Sequence, residues 1–279
     1  MRRLIVTADD FGAAAEVNEA VEIGHRDGVL TSASLMVAAR GCADAVARAR
    51  RLPKLRVGLH LVLVEGRPKL PANELPDLVT RDGLFRTDMA VMGAEIFFRP
   101  KVRRQLAAEI EAQFAAFAAT GLPLDHANTH KHYHLHPTIA GLMLSIGARY
   151  GLRASRAPIE PRAILAAVDP AAAPRPAYVT EPWARQVRAR YRRAGITVAD
   201  QVFGLAWSGT MTTDRVAGIL RRLPPGLSEL YLHPATSGGF EGAVAGYDYA
   251  GELAALTAAQ TRQALAGSGA EHGGFSDFV

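Results

Sequence analysis

Five of the nine histidines fall between His126 and His136, in the run Asp125-His-Ala-Asn-Thr-His-Lys-His-Tyr-His-Leu-His-Pro137. His130, His132, His134 and His136 alternate with other residues, so an extended chain would set all four on one face. A helix would instead pair 130 with 134 and 132 with 136. Pro137 favours the extended form for His136. Imidazole suits borderline metals such as zinc, iron, cobalt and nickel. One or two of these rings can ligate while the others orient them or meet a substrate. The plainer reading is a polar surface loop. The interleaved Lys131 and Tyr133 exclude a mid-chain purification tag.

Asp9 and Asp10 close the first apolar run. Adjacent carboxylates repel unless a cation or proton offsets them. One can bind metal while the other acts as general base toward a metal-activated water. A helix cap would account for Asp10 alone, not for the pair. Asp10-Phe11-Gly12 also matches the kinase metal tripeptide, but no glycine-rich loop or catalytic-loop motif accompanies it. His60 interrupts the apolar run Val57-Gly-Leu-His-Leu-Val62 and is either a hydrogen-bonded core histidine or a third ligand. His233, in Leu230-Tyr-Leu-His-Pro234, is either structural or the acid that protonates a leaving group. The single cysteine, Cys42, rules out an intrachain disulfide and a thiolate cluster. Any metal is therefore left to histidine and carboxylate, and the chemistry read from these residues is divalent-metal hydrolysis.

These groups need a scaffold that gathers them. Short apolar runs at Leu4–Thr7, Thr31–Val37, Arg56–Val62, Leu124–Asn128, Leu152–Ser155, Gln201–Phe203 and Ser228–Leu232 read as strands. Helical patterns run over Ala13–Asp27, Cys42–Leu52, Lys101–Thr120, Pro137–Tyr150, Trp183–Arg193, Thr213–Leu223 and Gly251–Leu265. The alternation predicts an α/β fold of parallel strands with crossover helices. About seven such units suit a distorted, TIM-barrel-like (β/α) barrel better than a doubly wound sheet. Asp9, Asp10, His60, the histidine cluster and His233 then all lie toward strand C-terminal ends. One domain, 1–279, is expected, with long insertions near 64–100 and 157–182. The first carries Phe85, Met89, Met92, Ile96, Phe97 and Phe98.

With 49% hydrophobic and 21% charged residues, the chain reads as ordinary globular rather than disordered. No stretch reaches the roughly 20 apolar residues of a membrane span. No secretory leader is read at the start, so a cytoplasmic location is expected. The net charge of +5 permits an anionic partner without calling for nucleic acid. Five arginines beside Trp183 and Tyr191, in 182–193, suit either a solvated helix or peripheral contact with an anionic membrane at the inner face. A homodimer is compatible with all of this.

Thr7-Ala-Asp-Asp-Phe-Gly12, Gly58-Leu-His-Leu61, His130 through Pro137 and Leu232-His-Pro234 together resemble the YdjC-like carbohydrate deacetylases, which include chitooligosaccharide deacetylases. Each segment is short, but they follow the family's order across most of the chain. The wording of Gly58–Pro68, Asn128–Pro137 and Phe275–Phe278 is similar to the hopanoid-biosynthesis deacetylases of the HpnK type. The resemblance implies a distorted (β/α) barrel. It implies a divalent cation, zinc or magnesium, on Asp10, His60 and His130. Asp9 is then the base and His233 the acid, with His132, His134 and Arg153 assigned to the substrate. The implied reaction removes acetyl from an N-acetylglucosamine group, of a hopanoid glycolipid or of a chitooligosaccharide or other N-acetyl amino sugar. Relatives commonly have Asp-Ser-His-His where this chain has Asn128-Thr-His-Lys131, so position 128 lacks a carboxylate and His134 stays an alternative ligand to His130. Rival readings are a non-haem iron oxygenase, which shares the two-His, one-carboxylate set, and a non-catalytic sugar-binding protein.

Overall fold

A computed structural model describes residues 1–171 and 180–279. Its centre is β1 (Arg2–Phe11), whose run from Leu4 to Ala8 is wholly buried. Around it lie β2 (Ser32–Leu35), β3 (Arg56–Leu61), β4 (Ala127–Thr129), β5 (Gln201–Phe203) and β6 (Gly226–Leu232). The sheet order is β4-β3-β2-β1-β6-β5, every pairing is parallel, and a short β7 (Glu271–His272) adds to the start of β1. Parallel neighbours require crossovers. These are α1 (Ala15–Arg26), α2 (Cys42–Ala49), α3 (Met89–Phe98), α4 (Pro100–Ala119), α5 (Pro137–Gly147), α6 (Arg162–Val168), α7 (Glu181–Arg193), α8 (Thr213–Leu220), α9 (Tyr249–Thr257) and α10 (Ala259–Ser268).

The α/β class is as expected, and the sheet is a curled parallel half-barrel rather than a complete ring of strands. Beyond β4, among the described residues, the ring continues through single parallel bridges, Ala127 to Ser155 and Ala154 to Thr197, rather than through a further strand ladder. Pro158 and Pro161 follow directly and have no N–H to give to a ladder. Two other expectations change. The insertion near 64–100 contains a helix, α3, and the helix expected over Gly251–Leu265 is two, broken where Ala258 turns extended. Residues 172–179 of the expected 157–182 insertion lie outside the described residues.

One face of α4 carries apolar Val102, Leu106, Ile110, Phe114 and Phe117 into the core. Beside it runs a polar row at helical spacing, Gln105, Glu109 and Gln113, which catches the chain leaving β3. Gln113 exchanges two hydrogen bonds with the Val62 backbone, at 3.0 and 2.7 Å. Glu109 accepts from the Lys69 and Leu70 amides at 2.7 and 2.9 Å, and Gln105 accepts from the Asp77 amide at 3.0 Å. The start of the long insertion is thereby pinned, its backbone groups satisfied by side chains rather than by a sheet.

Candidate metal and hydrolytic site

The site lies at the C-terminal ends of β1, β3 and β4, and a bend in β1 creates it. The register between β1 and β2 shifts between Ala8 and Phe11, and Asp10 sits at φ 63°. A left-handed conformation is costly for a residue with a Cβ. Such strain recurs at functional sites, where the surroundings enforce it. In a regular strand Asp9 and Asp10 would point to opposite faces. The bulge lets both turn toward the same pole. Among the described residues, the non-glycine positive-φ positions are Asp10, near the end of β1, and Glu65, Lys131 and His132, on the segments that follow β3 and β4.

Asp10 Oδ1 lies 3.1 Å from His60 Nε2 and 3.2 Å from His130 Nδ1. One ligand atom from each of the three residues falls within 4.8 Å of the others. The proton on His60 can be placed. Its Nδ1 lies 2.7 Å from Asn128 Oδ1, which only accepts, so Nδ1 carries the hydrogen. The Asn128 amide nitrogen in turn donates to Asp9 Oδ1 at 3.1 Å, which fixes the amide's orientation. Nε2 of neutral His60 is therefore a bare lone pair. It is buried, without a hydrogen-bond partner, and faces a carboxylate. Two such electron pairs repel unless a cation or a proton stands between them, and an acceptor on the far ring nitrogen is the usual arrangement of a ligating histidine. The donor set of two imidazoles and one carboxylate fits a divalent cation. Burial would raise the Asp10 carboxyl and disfavour the His60 imidazolium. The neighbours win in both cases, holding Asp10 well below the carboxylate range and His60 above its ordinary value.

Asp9 belongs to a different network. Arg156 meets it with Nη1 on Oδ2 at 2.5 Å and Nη2 on Oδ1 at 3.0 Å, and Ser34 donates to Oδ1 at 2.8 Å. Arg156 has no exposure and also spans Glu229, by Nε at 3.0 Å and Nη2 at 2.7 Å, with its guanidinium 4.3 Å from the Tyr231 ring centre. Burial alone would raise the Asp9 pKa. The charge and hydrogen bonds of Arg156, with His60, hold it far below the usual range instead. Neither Arg156 nor Glu229 stood out in the sequence. The only signals were an arginine directly after the expected strand at Leu152–Ser155 and one acid inside the apolar run of β6.

The histidine cluster is not extended. Residues His130–Leu135 form a tight 3-10 turn in which Lys131 and His132 are left-handed, and the rings diverge. His130 faces Asp10. His132 Nε2 lies 3.0 Å from the Tyr231 hydroxyl, and its Nδ1 is buried without a partner. His134 is fully buried, between Thr129 Oγ1 at 2.7 Å and the Arg156 carbonyl at 2.8 Å, so neither ring nitrogen is free; burial takes its pKa down to about 4. His136 is extended, as Pro137 dictates, and caps α5 through the Thr138 amide. His126 pairs with Asp125 at the opposite pole. Arg153 is exposed at the upstream end of the bridge segment, away from Asp9. His233 follows β6, with Nδ1 buried and unpartnered and its ring between Tyr231 and Tyr247.

A parallel α/β half-barrel with an Asp-His-His group and a second, arginine-bound aspartate at its C-terminal pole defines a class whose site is built on strand ends. Residues 3–267 match the model of the YdjC-like protein family, and the chain belongs to that family. A carbohydrate deacetylase of Brevibacillus brevis is 38% identical over 148 residues, 53% of this chain and 56% of that protein. The chain thus spans about half the length of the first bacterial relatives it matches. A carbohydrate deacetylase of Homo sapiens is 32% identical, covering 96% of this chain and 88% of its own. An Enterococcus faecalis structure, described as a cellobiose-phosphate cleavage protein, superposes with a TM-score of 0.75 at 22% identity, covering 100% of this chain and 99% of that one, which shows the shared fold.

Proposed function

We propose that the protein removes acetyl from an N-acetylated amino sugar by metal-dependent hydrolysis. The observation that carries the reading is the bulge that turns two adjacent carboxylates to one pole with separate partners, Asp10 toward two histidines and Asp9 toward Arg156. The names of the relatives at 32% and 38% identity support the same class. A divalent cation held by Asp10, His60 and His130 would supply Lewis acidity to the acetyl carbonyl and acidify a water. Asp9 receives the proton of that water. Its Oδ1 already takes Ser34, Asn128 and Arg156, whereas Oδ2 takes only Arg156, so Oδ2 has the free lone pair. A carboxylate held this firmly in its charged form does not keep the proton; it goes to His233 once that ring has given its own to the amine, so both groups are reset. His233, whose Nδ1 has no partner, donates to the amine as the C–N bond breaks. The products are acetate and the free amino sugar.

Within this class we infer a lipid-linked acceptor, an acetylglucosaminyl hopanoid. The support is the similarity of Gly58–Pro68 and Asn128–Pro137 to the HpnK type. It is joined by an apolar surface on α3, where Val91, Phe97 and Phe98 are 55, 50 and 76% exposed and Phe97 packs edge-on to His136 beside the histidine turn. Helix α7 gives weaker support to membrane contact. Arg185 pairs with Glu181, Arg188 and Arg192 bind Asp200, and Arg190 donates to the Pro137 carbonyl. Acetate release from acetylglucosaminyl hopanoid and from chitooligosaccharide, with zinc, magnesium or cobalt added, tests both levels. Turnover of the soluble sugar alone would remove the lipid reading, and turnover of neither would remove the deacetylase reading.

A further inference from the structure

We propose that residues 273–277 are a plug in the pole opposite the site, and that the seating of Phe275 positions Tyr231 and, through it, Arg156 and Asp9. The kinetic arm of the test below rests on the deacetylase reading; the exchange arm does not.

The seating is over-determined. Strand β7 pairs with β1 at Arg3 and Leu4, and the Gly273 amide donates to the Leu4 carbonyl at 3.1 Å. The buried Asp125 carboxylate then collects the next turn, accepting from the Phe275 amide at 3.2 Å, the Ser276 amide at 2.8 Å and the Ser276 hydroxyl at 2.6 Å. Asp277 folds back on the Gly274 amide at 2.9 Å and receives Arg56 Nη2 at 2.6 Å. A Cβ on Gly274 would stand 2.3 Å from the Arg56 side chain, and one on Gly58 would stand 2.4 Å from the His126 ring. Glycine is thus required at both edges of the seat. His126 itself lies 4.8 Å, ring centre to ring centre, from Phe275.

This network holds one side chain inside the curled sheet. Phe275 has no exposure and clusters with Ile5, Ala154, Ala199, Val202, Leu227 and Tyr231, contributed from both sides of the curl. Two of these are alanines, so the phenyl ring fills space that the wall residues leave. Tyr231 is the member that reaches the site. Its ring carries the Arg156 guanidinium at 4.3 Å, and its hydroxyl meets His132 at 3.0 Å. Close-packed interiors transmit displacement, and Tyr231 belongs to the same cluster that a loss at the base would loosen. Asp10, His60 and His130 are not among these contacts. Spatial continuity alone does not establish coupling, so the test measures it.

The experiment compares wild type with Phe275→Ala, with and without toluene, since a cavity lined by apolar side chains binds small aromatics. Metal affinity is read by calorimetry with zinc, kinetics by acetate release, and backbone exchange by deuterium uptake at 228–232 and 154–156. The proposal expects kcat to fall on the order of 10²-fold, as for a small misplacement of a reacting group. KM and the zinc dissociation constant should stay within about twofold, as for independent sites. Exchange should accelerate at both segments, and toluene should restore most of the loss. Unchanged kcat and exchange would overturn it. So would a parallel loss of zinc affinity that toluene does not repair, which signals general damage. If the wild type releases no acetate, the deacetylase reading falls and the exchange arm still decides the plug. Should Phe275→Ala not accumulate as folded protein, Phe275→Leu carries the same readouts with an intermediate effect.

Discussion

Arg156 is the residue on which the Asp9 half of the candidate site turns. Its guanidinium serves two fully desolvated carboxylates, and its carbonyl receives the buried ring of His134. A buried ion pair is poor evidence of net stabilisation, but removing one partner strands the other. Arg156→Met therefore leaves Asp9 and Glu229 buried without a counterion and should destabilise the fold by about 3–5 kcal/mol. A shift of the urea midpoint reads this, and adding Glu229→Gln should recover part of it. A midpoint unchanged by Arg156→Met would show that the carboxylates are not held as described. Asn128 is informative in a second way. Its amide donates to Asp9 and its carbonyl accepts from His60, so a neutral residue joins the two halves of the site. A carboxylate in the same place would turn the Asp9 contact repulsive.

At the scale of elements, the two poles of the sheet are fixed by different chemistry. At the base, burial would raise the Asp125 carboxyl, but the hydrogen bond and charge of His126 and the donors of Ser276 bring it down to about 2 from 3.8. A lowered folded-state value means that the unfolded chain takes up the proton first as pH falls. The stabilisation, about 2 kcal/mol, is thus complete above pH ~4 and is lost as pH falls toward ~2. Urea midpoints measured from pH 5 to pH 2 should fall across that window, and Asp125→Asn should flatten the fall. On α4, Gln113→Leu leaves both polar groups of Val62 without their partner. It should cost about 1–3 kcal/mol and speed exchange locally over 62–70. Exchange that rises uniformly, or not at all, would contradict the pinning role of that helix face.

For the molecule as a whole, the main alternation of strands and helices was legible because most strands are short apolar runs and most long helices have their period, whereas α3 and α6 were not read. The candidate site residues were legible because Asp-Asp and His60 break such runs. The exact course of the ring was not, since strand order and closure are set by packing, and Ala154 and Ser155 carry no signature of a lone bridge. The conformation of the histidine cluster was not legible either. Alternation pointed to an extended face, whereas left-handed Lys131 and His132 are held by tertiary contacts that no local propensity encodes. Arg156 and Glu229 were hidden because a buried ion pair joins residues far apart in sequence, each unremarkable alone.

The exposed side of α3 belongs to the same scale. If it receives a lipid, Phe98→Ser with Val91→Ser should slow turnover of a vesicle-borne acetamido glycolipid and leave a soluble acetamido sugar untouched. Equal effects on both substrates would assign the surface to folding rather than to substrate.

The most direct test of the account is acetate release by protein stripped with a chelator and then reloaded with metal, run beside Asp9→Asn. Stripped protein should release no acetate, and reloading should restore release. Asp9→Asn should bind metal, with release lowered on the order of 10²-fold or more. Release that survives chelation, or that survives in Asp9→Asn, would contradict the division of labour between Asp9 and the Asp10, His60 and His130 group.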